Sequence, residues 1–355
     1  MDNLTHSLFG AVLGQTLGRR TPHATLTLVL ASNAPDIDIV TAMTGGSVGY
    51  LATHRGWTHG PLGFLALAAL SAGVAFGWAA WRARRRGERL TAPRQTLQSL
   101  LLLALVGVTA HALMDLPTTY GTRILSPFVQ TWYAFDWLPI IDVYLWALLI
   151  GGLVWSRRRP AAASRIVAGV LVLVGLHYAG RALLHQRALT DGAQWTADRD
   201  VAPCAERPTL VRHPRVIEAP LAGPGACIQA AALPTFLSPL SWRIVRQYPQ
   251  GYEISQRHVL RLDEPVTRTW IPSEGGPLVA RARATATGRV FFDFSRLPAA
   301  QVLEQSEAGA IVRFQDVRFV GSPISADIEP DARAPFTAII ALDGDGAVVR
   351  ERLGN

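Results

Sequence analysis

Long apolar runs almost free of charge constrain this chain more than any other feature. A hydrocarbon core about 30 Å thick takes roughly 20 mostly apolar residues as a helix. PLGFLALAALSAGVAFGWAAW (61–81), TLQSLLLLALVGVTAHALMDL (96–116), IIDVYLWALLIGGLVW (140–155) and IVAGVLVLVGLHYAGRALL (166–184) approach or meet that length. They predict four long transmembrane helices. Residues 4–17 and 24–34 are shorter apolar stretches separated by Arg19, Arg20 and Pro22. These predict a short N-terminal helical hairpin, half inserted or packed on the bundle.

Charge sets the orientation. The net charge of +8 comes entirely from arginine, and so basic a chain suits nucleic acid or a membrane surface. Residues 19–20, 82–94 and 157–165 hold 12 of the 34 arginines against one acid, Glu88. Short arginine-rich loops belong on the cytoplasmic side. The basic balance is therefore a topology signal, and no nucleic-acid partner is expected. Residues 39–60, 117–138 and everything after about 186 then fall outside, and a cytoplasmic Arg19-Arg20 turn puts the N-terminus outside too. No A-x-A-like site follows a basic start and an apolar run, so a cleaved signal peptide is not expected. The expected location is a membrane, crossed several times.

From about residue 186, prolines and alternating runs replace the apolar segments. WRIVRQY (242–248), YEISQRHVLRL (252–262), RVFFDFS (289–295), AIVRFQDVRFV (310–320) and FTAIIAL (336–342) read as strands. Asp343-Gly344-Asp345-Gly346 has hairpin-turn chemistry. The fold class is thus an α-helical integral membrane bundle, residues 1–185, with a small β-rich soluble extracytoplasmic domain, 186–355. Cys204 and Cys227 both fall in that outer domain; an oxidising space allows a disulfide, though two free thiols fit the sequence equally.

Against this apolar background stand Asp36 and Asp38 in APDID, His54 and His59 in HRGWTH, His111 and Asp115 in HALMD, and Asp142 in IIDVY. Ionisable residues at membrane depth are costly and mark sites. Taken singly, Asp36 could be a turn residue, the loop histidines interfacial, and His111 a hydrogen-bonded core residue. The topology, however, brings all seven to one membrane face. His111 and Asp115, four apart, share a helical face and suit one metal ion. Imidazole and carboxylate ligands fit zinc, with manganese or iron as alternatives, and seven donors allow one or two divalent ions. His6 either joins the site or caps the first helix, and the cap is the favoured reading; His177 and Arg181 are assigned no chemistry.

MDNLTH, PDID, HRGWTH, HALMDLPTTYGTRILSPF and FDWLPIID, in this order, resemble the YdjM-like family of bacterial inner-membrane, metal-dependent hydrolases, which includes LexA-regulated members. The resemblance covers residues 1 to about 185, and the strand at Trp242-Arg243 is similar to the start of the variable soluble tail of longer members. It implies hydrolase activity and metal-binding positions at Asp36, Asp38, His54, His59, His111 and Asp115. Many members carry glutamine where His6 stands, so no ligand role is carried onto it. The family usually has serine where this chain has Gly60, and often proline at Val143. Arg55, Tyr120 and Gly121 match the pattern; of these Arg55 is the better anion contact, because guanidinium suits phosphate.

The reading favoured by these residues is a membrane-bound metallohydrolase with an outward site. A metal-activated water would be the nucleophile, with Asp38 or Asp142 accepting its proton or bridging ions. A lipid or phosphoester reached at the membrane surface is the expected substrate, and membrane lipids the expected surroundings. HExxH is absent, so proteolysis gains no support. The alternative is non-enzymatic: a structural metal site and a partner-binding outer domain. A transporter ranks last, since the charges are confined to helix ends.

Overall fold

Proline opens two of the long apolar helices. Pro61 starts α4 (Pro61–Arg85) and Pro93 starts α5 (Pro93–Asp115), positions where a missing N–H leaves no helical bond unmade. At 1.5 Å per residue these helices span about 37 and 35 Å, enough to cross a bilayer. The computed structural model describes residues 1–17, 21–90, 92–194, 204, 227–261, 267–321 and 334–354. The Arg19-Arg20 turn lies outside them. Among the described residues, four helical stretches are long and apolar enough to cross a membrane: Ala24–Thr53, Pro61–Arg85, Pro93–Asp115 and Pro160–Gln194.

The chain forms two compact units. The first comprises Met1–Ile39 and His54–Gly180. In it α1 (Asn3–Leu17) lies against α2 (Ala24–Asn33), and α2 against α5. A Cβ on Gly10 would meet the Leu28 carbonyl oxygen at 2.8 Å, and one on Gly14 would meet Thr25 Cα at 2.9 Å. The Gly-x-x-x-Gly spacing thus lets the two backbones approach, as small residues do between membrane helices. Ala68, Ala72 and Ala75 of α4 pack similarly with Leu100, Ala104 and Val108 of α5. On the outward faces Leu102, Val172 and Leu176 expose more than 60% of their surface, as expected of side chains that meet lipid rather than water. The run at 140–155 becomes α6, Val143–Arg158, of 16 residues, followed by α7 (Ala163–Gln194).

The second unit comprises Val40–Thr53 and Arg181–Asn355. It therefore includes α3 (Thr41–Thr53), which packs on the last helix and last strand of this unit. Two antiparallel sheets form: β1 (Gln229–Pro234), β2 (Ser241–Tyr248), β3 (Gly251–His258) and β4 (Arg268–Pro272) in sequence order, then β5 (Pro298–Ser306), β6 (Gly309–Asp316), β7 (Thr337–Asp343) and β8 (Val348–Leu353). The expected strands at 242–248, 252–262, 310–320 and 336–342 correspond to β2, β3, β6 and β7, although His258 ends β3 and a 3-10 turn, Val317–Phe319, follows β6. The Asp343–Gly346 turn joins β7 to β8.

The expected strand at 289–295 is a helix. After the short α8 (Pro277–Arg283), α9 spans Ala286–Phe294. Thr285 caps it, its hydroxyl accepting from Gly288 N–H at 3.0 Å. Thr287, Gly288, Phe291 and Phe294 are buried at helical spacing. The apparent alternation of Val290, Phe292 and Phe294 was too short to outweigh that cap and the burial of Phe291. Cys204 and Cys227 are joined by a disulfide.

Candidate metal centre

Pro35 begins the construction. It follows α2 in a 3-10 turn, Ala34–Val40, that carries Asp36 and Asp38. In an i→i−3 turn the Ser32 carbonyl would take the N–H of residue 35, and proline has none. His111 Nδ1 instead donates to that oxygen at 2.8 Å. His54 follows α3, and Arg55 then turns through a left-handed conformation, φ 53°. That turn points the Arg55 N–H at Asp38 Oδ2, 2.8 Å away. A short 3-10 turn, Trp57–His59, delivers His59, and the last turn of α5 delivers His111 and Asp115.

Four donor atoms converge. His59 Nε2 and His111 Nε2 are 3.1 Å apart. Asp36 Oδ1 is 3.6 Å from the first and 3.7 Å from the second. Asp115 Oδ2 is 3.5 and 3.3 Å from them. Ligands at 2.0–2.1 Å in a tetrahedron lie about 3.3–3.4 Å from one another, so this set fits a divalent ion such as zinc. The hydrogen-bond network gives a second test of fit. His111 Nδ1 carries the proton it donates to Ser32. Thr58 Oγ1 donates to Asp38 Oδ2 at 3.1 Å and so accepts from His59 Nδ1 at 3.0 Å. In their neutral forms both imidazoles therefore present bare Nε2 lone pairs to each other, with Asp115 Oδ2 beside them also lacking a hydrogen-bond partner. Acceptors facing one another in a buried site call for a cation between them.

Asp38 stands behind His54, accepting from its Nδ1 at 2.9 Å; Asp36, Asp38 and His54 form a second group able to hold an ion. Burial, then the Arg55 charge, outweigh Asp38 and lower the His54 pKa. At His59 burial also opposes the charged form, but the Asp115 and Asp36 carboxylates beside it prevail and raise its pKa. The carboxylates around His59 thus favour positive charge at that point of the pocket.

Arg55 is buried. Its guanidinium lies 3.2 Å from Asp115 Oδ1, donates to the Gly121 carbonyl at 3.1 Å, and stacks 4.6 Å over the Tyr120 ring. Asp115 Oδ1 also accepts from the Met1 amino group. Asp142 belongs to neither donor group: it caps α6 by accepting from Leu145 N–H at 2.9 Å, and its other oxygen meets His177 Nε2 at 3.1 Å. His177 was assigned no chemistry from sequence; its partner lies 35 residues away, and only the packing of α6 and α7 joins them.

Four further residues belong to the site and were not read as such. Ser32 and Thr58 orient histidines; Thr58 had a signal, its place beside His59 in WTH. Arg123 donates to the His54 carbonyl at 3.1 Å and stacks on Trp132, so it holds the His54 loop. His6 is fully buried rather than a cap, its ring stacked 3.9 Å from that of His111. Burial, then the neighbouring His111, push its pKa down to about 4. Gly60 has its reason in packing, since a Cβ there would lie 1.7 Å from the Ser126 carbonyl oxygen.

Residues 1–184 match the family model described as YdjM inner membrane protein. No curated protein and no solved structure matches the chain.

Proposed function

Because the chain belongs to the YdjM inner membrane protein family and is a multi-pass inner membrane protein, we propose that it is a metal-dependent hydrolase acting at the outer membrane face. The observation that carries this reading is the pair of bare Nε2 atoms 3.1 Å apart, flanked by the Asp36 and Asp115 carboxylates. A divalent ion held there would supply Lewis acidity and a water acidic enough to attack an ester near neutral pH. His59, His111, Asp36 and Asp115 hold the ion in this reading, and zinc suits the donor set best. Arg55 pins Asp115 through its second oxygen, and Arg123 pins the loop that carries His54 and Arg55. Asp36, with 14% of its side chain exposed, is the most open of the four donors and marks the side from which substrate enters.

A lipid or other phosphoester at the membrane surface is the proposed substrate. Ile37, Ile39 and Trp57, chain neighbours of Asp36, Asp38 and His59, expose 46%, 61% and 54% of their surface. Apolar side chains around a polar site favour an amphiphile. The outward orientation is supported by the arginines at the end of α4 away from His59 and at the end of α5 away from His111 and Asp115 and by the Cys204–Cys227 disulfide, a bond of oxidising compartments.

The second reading, a structural metal with a partner-binding outer domain, has one observation in its favour. Four protein donors already fill a tetrahedral shell, as in closed structural zinc sites. Metal analysis of the purified chain, coupled to a screen of phosphoesters and lipids, separates the two. Turnover that vanishes with metal removal and in His111→Ala supports the hydrolase. Tightly bound metal without turnover of any ester favours the structural site, and absence of metal refutes both.

A further inference from the structure

Thr58 sits between Asp38 and His59 with one proton to give. Its hydroxyl gives that proton to Asp38 Oδ2 at 3.1 Å, which leaves its oxygen only as an acceptor for His59 Nδ1 at 3.0 Å. The same carboxylate accepts from His54 Nδ1 at 2.9 Å through Oδ1, and from the Arg55 N–H at 2.8 Å through Oδ2. An ionised carboxylate can only accept. The direction of every bond in this chain is therefore set by Asp38, and both imidazoles must carry their proton on Nδ1.

We infer that Thr58 and Asp38 are positioning residues, a carboxylate–hydroxyl relay that fixes the His59 and His54 tautomers and so aims the bare His59 Nε2 at a divalent cation. The inference rests on the metal reading above and deepens it. His111 obtains the same tautomer from the Ser32 carbonyl, so the two histidines nearest each other are oriented by unrelated devices. One is a backbone oxygen released by Pro35, which no side-chain substitution at residue 32 removes. The other is a single hydroxyl. Thr58 is 1% exposed and His59 fully buried, so no solvent replaces that hydroxyl when it is removed. Without it, His59 Nδ1 loses its acceptor and the proton is free to move to Nε2, where it would exclude the ion. Asp38, engaged by three donors through its two oxygens, works from behind the histidines in this account.

The test compares the wild-type full chain with Thr58→Val, Thr58→Ser and Asp38→Asn, each loaded with Co2+. The readouts are cobalt per chain, affinity by competition with a chromophoric chelator, and the visible cobalt spectrum. Valine keeps the shape and removes the oxygen; loss of such an outer partner is expected to weaken binding roughly 10- to 100-fold and to alter the spectrum. Serine restores the oxygen and should bring both back near wild type. Asp38→Asn, which replaces an acceptor oxygen by a donor, should weaken binding at least as much as Thr58→Val, and it supplies the answer should valine not fold. Wild-type affinity and spectrum in Thr58→Val, or equal losses in Val and Ser, overturn the relay while leaving the metal reading intact. A wild-type chain that takes up no cobalt overturns both.

Discussion

Replacing Gly60 by alanine or serine should damage the site although neither substitution touches a donor residue. The added Cβ would lie 1.7 Å from the Ser126 carbonyl oxygen, 2.7 Å from its carbon and 3.3 Å from Ser126 Cα. Ordinary contact begins near 3.4 Å, so one backbone must retreat by about 1.7 Å. Neither is free to do so. Gly60 N–H bonds the Trp57 carbonyl at 3.2 Å and the Gly60 carbonyl accepts from Phe64 N–H at 2.9 Å. Ser126 N–H bonds the Arg123 carbonyl at 2.9 Å, and Arg123 N–H bonds the Arg55 carbonyl at 3.0 Å. A shift on one side drags His59, and on the other Arg55 and the His54 loop, whereas metal–ligand distances tolerate about 0.2 Å. Overpacking of this kind costs about 1–3 kcal/mol, and more where backbone must move. Bound metal per chain and resistance to unfolding in detergent should both fall in Gly60→Ala and Gly60→Ser. Gly73→Ala in α4 is the control. Nothing lies within 4 Å of its added Cβ, so it should be neutral or stabilising by about 0.5–1 kcal/mol. Full metal content and wild-type stability in Gly60→Ala would refute the steric argument.

Two further outcomes are expected. Cys204 and Cys227, 23 residues apart, should resist alkylation until reduced, and Cys227→Ser should lose about 3 kcal/mol of stability in the outer domain, the value for a loop of that order; ready alkylation of both thiols in unreduced protein would contradict this. A reporter fused after residue 190 should behave as exported, and cytoplasmic activity of that fusion would reverse the orientation and place the metal centre inside.

How much of this was legible varies by residue. Asp36, His59, His111 and Asp115 stood out because charge and imidazole are rare among apolar runs. Asp142 stood out for the same reason, yet its carboxylate serves an α6 cap and His177. Composition marks an ionisable group near a membrane segment but does not choose among its partners. His6 was set aside as a cap, and stacking on His111 became visible only once α1 lay beside α5. Ser32 gave no signal, because the atom that matters is its backbone oxygen. The 289–295 segment shows the same limit in secondary structure, where a seven-residue alternation lost to a capped helix.

Sequence alone determined that this chain crosses a membrane, where its arginines lie, and which residues are chemically able to bind metal. These follow from length, charge and side-chain type, which need no partner to be read. Tertiary structure decided which four donors meet, that Pro35 and Thr58 set the protons of His111 and His59, and that Gly60 admits no side chain. Those are relations between atoms as many as 79 residues apart, and hydrogen-bond direction and van der Waals contact exist only once the chain has brought the atoms together.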